Sequence, residues 1–315
     1  MNFKGRTVAV TGAGGSIGSE ICRQLIAQGV RNLRLVCLTE GALYNLLKEL
    51  TADQVTPILG SVTDDRLMQE SFEDVDVVLH AAAHKHVPLC ELSPLAAIDT
   101  NVRGTYIAAQ AARTAGVSTF VHISTDKAVF PASIMGATKR CAELMLRDVL
   151  EQSPTKFVIC RFGNVLDSAG SVLPLWREQL AAGKPITLTS AACTRYFMSI
   201  PEAAELVLTC AGFEAGGPYI FDMGEPISMG ELAKRLIREN GGKGKIVETG
   251  LRPGEKLTES LTYGGPLTPT RHPKVKRVAQ DLTLPLTAKQ LLDLLSATRE
   301  RKQEEAVRRL WSIVK

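Results

Sequence analysis

Long apolar runs are missing from this chain of 315 residues. Nowhere do about 18 uninterrupted apolar residues occur, the length a membrane-crossing helix needs. Charge of one sign is scarce too: 37 basic and 33 acidic residues are mixed along the chain and leave a formal net charge of +4. That surplus is too small and too dispersed for a nucleic-acid surface, yet it suits small anionic substrates. The seven cysteines (Cys22, Cys37, Cys90, Cys141, Cys160, Cys193 and Cys210) are odd in number and form no CxxC pair. They argue for buried thiols in a reducing compartment and against a disulfide framework or a zinc site. The start, Met1-Asn-Phe-Lys-Gly-Arg, runs into a strand-like segment without a basic leader and apolar signal core. The chain is therefore expected to be cytoplasmic, without a membrane span, and large enough to bury one or two joined cores.

Periodicity supplies the architecture. Short β-branched runs at Thr7–Thr11, Leu33–Cys37, Val55–Leu59, Val75–His80, Thr119–Ser124 and Phe157–Phe162 read as strands. Amphipathic stretches alternate with them at Ser19–Gln28, Gly41–Leu50, Pro94–Ala115 and Met135–Glu151. Strand–helix alternation of this kind predicts right-handed βαβ units and an α/β, doubly wound, Rossmann-like parallel sheet. Ligands then sit outside the carboxyl ends of the strands. Beyond about residue 165 the pattern changes. Ile200–Ala211 reads as a helix returning to the first domain and Tyr219–Met223 as a further strand. Helices at Ser228–Asn240 and Thr287–Trp311 flank a Gly- and Pro-rich loop, Thr249–Pro273. The expected division is a dinucleotide-binding domain over 1–165, with 192–224 returning to it, and a smaller α/β substrate lobe from 166–191 and 225–315. Ala297–Lys315 reads as a solvated outer helix.

The cofactor signal is Thr11-Gly-Ala-Gly-Gly-Ser-Ile-Gly18, between the first strand and the first helix. Gly12, Gly15 and Gly18 stand three residues apart, which lets the backbone turn tightly and approach a pyrophosphate at the helix N-terminus. Ser16 and Ile17 supply free N–H groups there. Ala81 and Ala82, after the fourth strand, are small enough for a cofactor to lie against the sheet edge, and Asn101 is a further cofactor candidate. NAD is expected, with NADP still possible. The second strand ends in Cys37 rather than an acid, Ser61 stands where an Asp near adenine is expected, and Arg34 is the one candidate for a 2′-phosphate.

The chemistry-bearing segment reads Val121-His-Ile-Ser-Thr-Asp-Lys-Ala and then Ile134-Met-Gly-Ala-Thr-Lys-Arg. Met135 and Lys139 lie four apart and so share one helical face. Short-chain dehydrogenases place a Tyr and a Lys at that spacing, and Met135 cannot carry a proton. Proton transfer must therefore fall to Asp126 and Lys127, with Thr125 beside them. A plain reading keeps Asp126 and Lys127 as a local ion pair capping a turn. A metal is not expected, because His84 and His86 at i,i+2 lack a neighbouring acid.

With these residues in place, the chain resembles the extended short-chain dehydrogenase/reductases. Within them it resembles the UDP-N-acetylglucosamine 4,6-dehydratases of bacterial polysaccharide and glycan synthesis. The likeness rests on Thr11–Glu20, Ala42-Leu-Tyr44, Ala81–Pro88, Asn101–Thr105, Ser124–Ala128, Met135–Arg140, Arg161–Val165, Arg195–Met198, Met223–Glu225 and Leu251–Lys256. It departs at Cys37, Ser61 and Asp167, the last standing where glycine is expected. Methionine for tyrosine is a recurring feature of one branch, which often carries an N-terminal membrane region absent from this sequence.

The resemblance implies hydride transfer from sugar C4, loss of water across C5 and C6, and hydride return to C6. Asp126 would be the acid and Lys127 the base at C5, with Lys139 on the nicotinamide ribose. Lys85, His86, Asn164, Arg195, Arg252 and Glu255 would hold a nucleotide-diphosphate sugar. A homodimer or higher homo-oligomer would pair the helices Pro94–Ala115 and Met135–Glu151. Two alternatives stay open: a 4-epimerase or dehydrogenase, which would want the tyrosine, and a non-catalytic dinucleotide sensor, which would need no acid and base.

Overall fold

The computed structural model describes residues 1–50, 53–150, 153–279 and 281–315. Strand β1 (Thr7–Thr11) is buried at every residue, which explains its unbroken apolar character. It pairs in parallel with β2 (Asn32–Cys37) on one side. With β3 (Val55–Leu59), β4 (Val77–His80), β5 (Thr119–Thr125) and β6 (Lys156–Phe162) it forms the parallel order 3-2-1-4-5-6. The sheet continues past β6 through the strand Gly216–Phe221, which is parallel, and through Val275–Val278 and Leu267–Pro269, which are antiparallel. The order reverses between β1 and β4, so a crevice opens at their carboxyl ends.

Helices cover both faces. On one lie α1 (Ser16–Ala27), α2 (Glu40–Glu49) and, further along the chain, Ile200–Cys210, which packs beside α1. On the other lie α3 (Asp65–Phe72), α4 (Val87–Leu92), α5 (Pro94–Ile98), α6 (Thr105–Thr114) and α7 (Ile134–Leu150). The expected single helix Pro94–Ala115 is interrupted by a π-helical stretch, Asp99–Gly104, between α5 and α6. Of the expected helix Met135–Glu151, Glu151 lies outside the described residues. A small lobe folds apart from the sheet around Leu173, Trp176, Ile186, Leu188, Ala233 and Leu236. Its helices are α8 (Val172–Ala181) and, after α9 (the Ile200–Cys210 helix above), α10 (Met229–Glu239).

One expectation, the lobe boundary, is corrected here. Residues from Leu267 onward do not join the small lobe: two strands extend the main sheet, and α11 (Ala288–Arg299) and α12 (Gln303–Val314) pack on α5 and α7. Leu291, Leu294, Ala297, Ala306, Leu310, Ile313 and Val314 are buried in the same core as Ile98, Leu144 and Met145. The stretch from Ala297 therefore holds the end of α11 and the core helix α12, separated at Arg301, whose φ is +59°. The helices expected to meet a second copy are packed largely within the chain. Every residue from Ile134 to Leu146 is buried within this chain, and Ala108, Ala109, Ala111 and Ala112 are close-packed on their own domain. The chain's own C-terminal hairpin covers the α7 face.

A buried charge cluster ties these parts together. Arg161 on β6 bonds Glu143 Oε2 at 2.7 Å and Asp281 Oδ2 at 2.7 Å, all three side chains being inaccessible. Arg140 on α7 reaches Glu143 at 3.3 Å and Asp281 at 3.2 Å, and its guanidinium lies 4.6 Å from the Tyr263 ring centre. Ser124 Oγ donates to Glu143 Oε1 at 2.6 Å, which fixes the end of β5 to the cluster. Burial pushes the Glu143 carboxyl up, but the charges of Arg161 and Arg140 and the Ser124 hydroxyl outweigh it and hold it below the usual value.

Two stability outcomes follow. Leu310→Ala should cost about 2–5 kcal/mol in urea unfolding; a loss under about 0.5 kcal/mol would return α12 to the surface. Asp281→Asn leaves two buried guanidiniums sharing one carboxylate. It should cost about 3–5 kcal/mol, and an unchanged unfolding midpoint would show that the cluster carries no stability.

Candidate active site

A cavity of about 690 Å³ opens at the carboxyl ends of β1, β4, β5 and β6 and extends to the small lobe. Its floor is the glycine loop. Gly12 has φ +68°, and a Cβ there would lie 2.7 Å from the Ala82 backbone nitrogen, so the loop can touch the end of β4 only as glycine. A Cβ at Gly18 would strike the Gly12 carbonyl oxygen. Helix α1 starts at Ser16 with no side-chain cap and no acid in its first turn, leaving its N-terminal N–H groups and positive dipole end open to the cavity. Gly12, Gly15, Ser16, Ile17, Gly18 and Ala81 all line it.

Two expected cofactor residues sit elsewhere. Ala82 backs the loop and is not among the lining residues. Asn101 is wholly buried in the π-helical stretch, where its amide accepts from His84 N (2.7 Å) and donates to His84 O (3.0 Å) and Thr138 Oγ1 (2.9 Å). It clamps the loop after β4 to α7, with no polar atom left for a ligand. Within β2, Arg34 is turned onto the carbonyls of Glu70 and Ser71, and at the strand's end the buried Cys37 thiol donates to Thr39 O.

The acid–base residues meet where β5 ends. Thr125 Oγ1 donates to Asp126 Oδ1 at 2.8 Å, and Lys127 Nζ donates to the same oxygen at 3.0 Å and to Asn164 Oδ1 at 3.1 Å. Asp126 is inaccessible, and its Oδ2 has no hydrogen-bond partner. Thr125 and Lys127 line the cavity and Asp126 stands behind them. Asp126 and Lys127 thus do form a local ion pair, but one that faces a cavity. Met135 and Lys139 form the adjoining wall. Lys139, only 5% exposed, donates to Ile123 O at 2.6 Å. Burial pushes its amine down to about 8, with Glu143 pulling the other way.

On the lobe side the expected substrate residues separate. Asn164 is engaged by Lys127. The Arg195 guanidinium donates to the carbonyls of Thr194, Lys256 and Leu257, so its fork is occupied by backbone. Arg252 and Glu255 close one turn through Arg252 N to Glu255 Oε2 (3.1 Å) and Glu255 N to Arg252 O (3.0 Å), and the Arg252 side chain stays exposed at the cavity. Lys85 donates to Ala169 O at 2.7 Å, and His86 packs against Gly170. Burial lowers the Lys85 amine and, with the Lys85 charge, the His86 imidazole.

The segment 167–171 closes over the glycine loop through Ala169 N to Ser16 Oγ at 2.9 Å. Asp167 has φ +57°, a left-handed conformation that explains why glycine is expected there; its carboxylate pairs with Arg177. Of this segment the sequence singled out only Asp167, and it gave no role to Trp176, Phe197 or Met229 on the same wall. No spacing within the chain links them to the glycine loop.

Among the described residues, no helix is long and apolar enough to cross a membrane, and no cluster of His, Cys, Asp and Glu is arranged to hold a metal. The Staphylococcus aureus capsular polysaccharide biosynthesis protein CapD is 46% identical over 268 residues, which cover 81% of this chain and 45% of that protein. The chain thus spans less than half the length of CapD. A Rickettsia canadensis UDP-glucose 4-epimerase is 35% identical over 266 residues, covering 82% of this chain and 78% of the epimerase. Among solved structures, Streptomyces venezuelae DesIV, a dTDP-glucose 4,6-dehydratase with NAD and TYD bound, superposes with a TM-score of 0.75 at 25% identity. That match covers 81% of this chain and 88% of DesIV. The polysaccharide biosynthesis protein family matches residues 8–280, and with the glycine loop, the sheet order and the Met135–Lys139 pair in place, the chain belongs to that family within the extended short-chain dehydrogenase/reductases.

Proposed function

We propose that this chain is an NAD-dependent nucleotide-sugar 4,6-dehydratase and that its substrate is UDP-N-acetylglucosamine. One observation carries the reading: Thr125, Asp126, Lys127 and Asn164 converge at the cavity while Met135 occupies the wall one turn before Lys139. Acid and base are present, and the position from which a tyrosine would act is apolar. The DesIV likeness supports the dehydratase class, and the CapD likeness supports a role in making polysaccharide precursors.

The chain's residues fit a dinucleotide. The side-chain-free face of Gly12, Gly15 and Gly18 and the open N-terminus of α1 would hold the pyrophosphate, and Lys139 the nicotinamide ribose. No acid ends β2, but Arg34 is turned onto the carbonyls of Glu70 and Ser71 and leaves no 2′-phosphate partner there, and the likeness to NAD-bound DesIV supports NAD. The chemistry supplied by bound NAD is reversible hydride acceptance, from C4 first and back to C6 last.

The residues account for every proton. Thr125 Oγ1 takes the C4 hydroxyl proton as its own proton passes to Asp126 Oδ1 along the 2.8 Å bond. Asp126 later returns that proton through Thr125 Oγ1 to the departing C6 hydroxyl, which leaves as water. Lys127, its own proton first released to solvent, removes the C5 proton that the 4-ketone has acidified; the ammonium so formed exchanges with water and delivers a solvent-derived proton to C5 as the hydride arrives at C6. Asn164 holds the Lys127 amine in line. Arg252 and Lys85, the cations at the lobe side, meet the diphosphate. A 4-epimerase is the second reading, because the Rickettsia relatives carry that name.

Mass spectrometry after incubation with UDP-N-acetylglucosamine in deuterated water separates the readings. Dehydration removes one water and places one deuterium at C5; a product of unchanged mass with a new C4 configuration would sink the proposal in favour of epimerisation. Asp126→Asn and Lys127→Met should each lower kcat by about 10²–10⁴ with NAD affinity retained. If either variant turned over at the parent rate, its residue would have no proton-transfer role.

A further inference from the structure

Two histidines lie side by side behind the cavity, on adjacent strands. His80 ends β4 and His122 pairs with it in register on β5, the rings stacked at 5.6 Å and 22°. Both are fully buried. His80 is satisfied at both nitrogens, by Thr11 Oγ1 at 2.8 Å and Thr105 Oγ1 at 3.0 Å. The Thr105 hydroxyl donates to Asn101 O at 2.7 Å, so it accepts from His80 Nε2–H, and His80 Nδ1 accepts from Thr11. The hydroxyls thus fix one neutral tautomer of His80.

His122 is different. Its Nε2 lies 3.1 Å from Lys139 Nζ, and its Nδ1 has no partner at all. Lys139 has three N–H groups when charged. One goes to Ile123 O at 2.6 Å, a second to His122, and the side chain lines the cavity, leaving the third for a ligand.

We propose that His122 is a positioning residue for Lys139: its Nε2 accepts from the amine, pins the side chain along β5 and leaves one N–H directed at the nicotinamide ribose. This rests on the dinucleotide reading of the cavity. The groups facing Lys139 are His122 from β5, His80 behind it on β4, and Glu143 on its own helix, whose charge is matched by Arg140 and Arg161. Among the described residues, no carboxylate is paired with the amine. A neutral imidazole holds the ammonium without stabilising its charge as a carboxylate would, which suits an amine pushed down to about 8 by burial. His122 itself is held well below its ordinary value by burial, then by Lys139 and His80, so it stays neutral throughout. Below the lysine transition the imidazole carries its hydrogen on Nδ1. Above it the hydrogen moves to Nε2, which donates to the neutral amine and leaves the Nδ1 lone pair unpartnered.

The test needs no substrate turnover. Long-range ¹⁵N–¹H spectra of the histidine-labelled chain should show His122 neutral, with Nε2 unprotonated at pH 6–7; a protonated Nε2 there overturns the proposal. Lysine ¹³Cε titration, assigned with Lys139→Met, should give a midpoint that falls by about one pH unit or more in His122→Phe, which removes the acceptor of a charged donor. His122→Gln, whose amide oxygen can accept, should restore most of it. NAD affinity at pH 7 should drop about tenfold in His122→Phe and recover in the Gln variant. An unmoved midpoint with unaltered NAD affinity in His122→Phe overturns the proposal. Intact NAD binding without dehydration of the sugar would instead sink the functional reading and leave His122 in place.

Discussion

The structure depends on four charges that never meet water: Arg140, Arg161, Glu143 and Asp281. An isolated ion in such surroundings is costly by several kcal/mol, so the cluster persists only if all four members are present and bonded. That condition binds three distant pieces of sequence. It sets α7 against β6, draws in the segment that ends at Asp281, and fixes Ser124 to Glu143. The residues after Ser124 carry the proton chemistry, so their placement rests on an ion network one residue away. Helix α7 shows the consequence most plainly. Its apolar face packs on the core in the ordinary way, while its polar face, Thr138, Lys139, Arg140 and Glu143, is equally buried and is bonded mainly to partners within the chain.

The cavity divides its labour by the same logic. On the glycine-loop side, backbone N–H groups and a helix dipole meet anionic oxygens, and no side chain is needed beyond the absence of one. On the β5 side, hydroxyl, carboxylate and amine are held within hydrogen-bond reach of each other while Met135 keeps the neighbouring wall apolar. Proton traffic is thereby confined to the strand end. The paired histidines lie behind that wall, neutral, and complete a polar track from Thr11 on β1 to Lys139 on α7.

Much of this was legible in the sequence. The glycine spacing, the β-branched runs of the parallel strands and the Met135–Lys139 step are local patterns, and local patterns read directly because strand and helix periods are fixed by the backbone. The likeness of ordered motifs pointed to the family that the comparisons then showed. Harder to read were the partners that the fold brings in. Asn101 is held by the backbone of His84, the Arg195 fork by the carbonyls of Lys256 and Leu257, and Asn164, which lines the cavity, accepts from Lys127. The C-terminal helices read as amphipathic, which is correct, but amphipathicity does not say which surface receives the apolar face.

The sequence by itself determined the fold class, the dinucleotide loop and the residue types available for acid–base work. Each of these depends on spacing within a few residues and on side-chain chemistry. Only the tertiary structure decided which polar groups are free and which are already engaged, because that turns on pairings between different segments, from Lys139 with His122 to Arg140 with Asp281. It decided that α12 belongs to the core. It decided that Asp126 reaches the cavity through Thr125 and Lys127, and that a histidine with no evident signal in the sequence stands against Lys139.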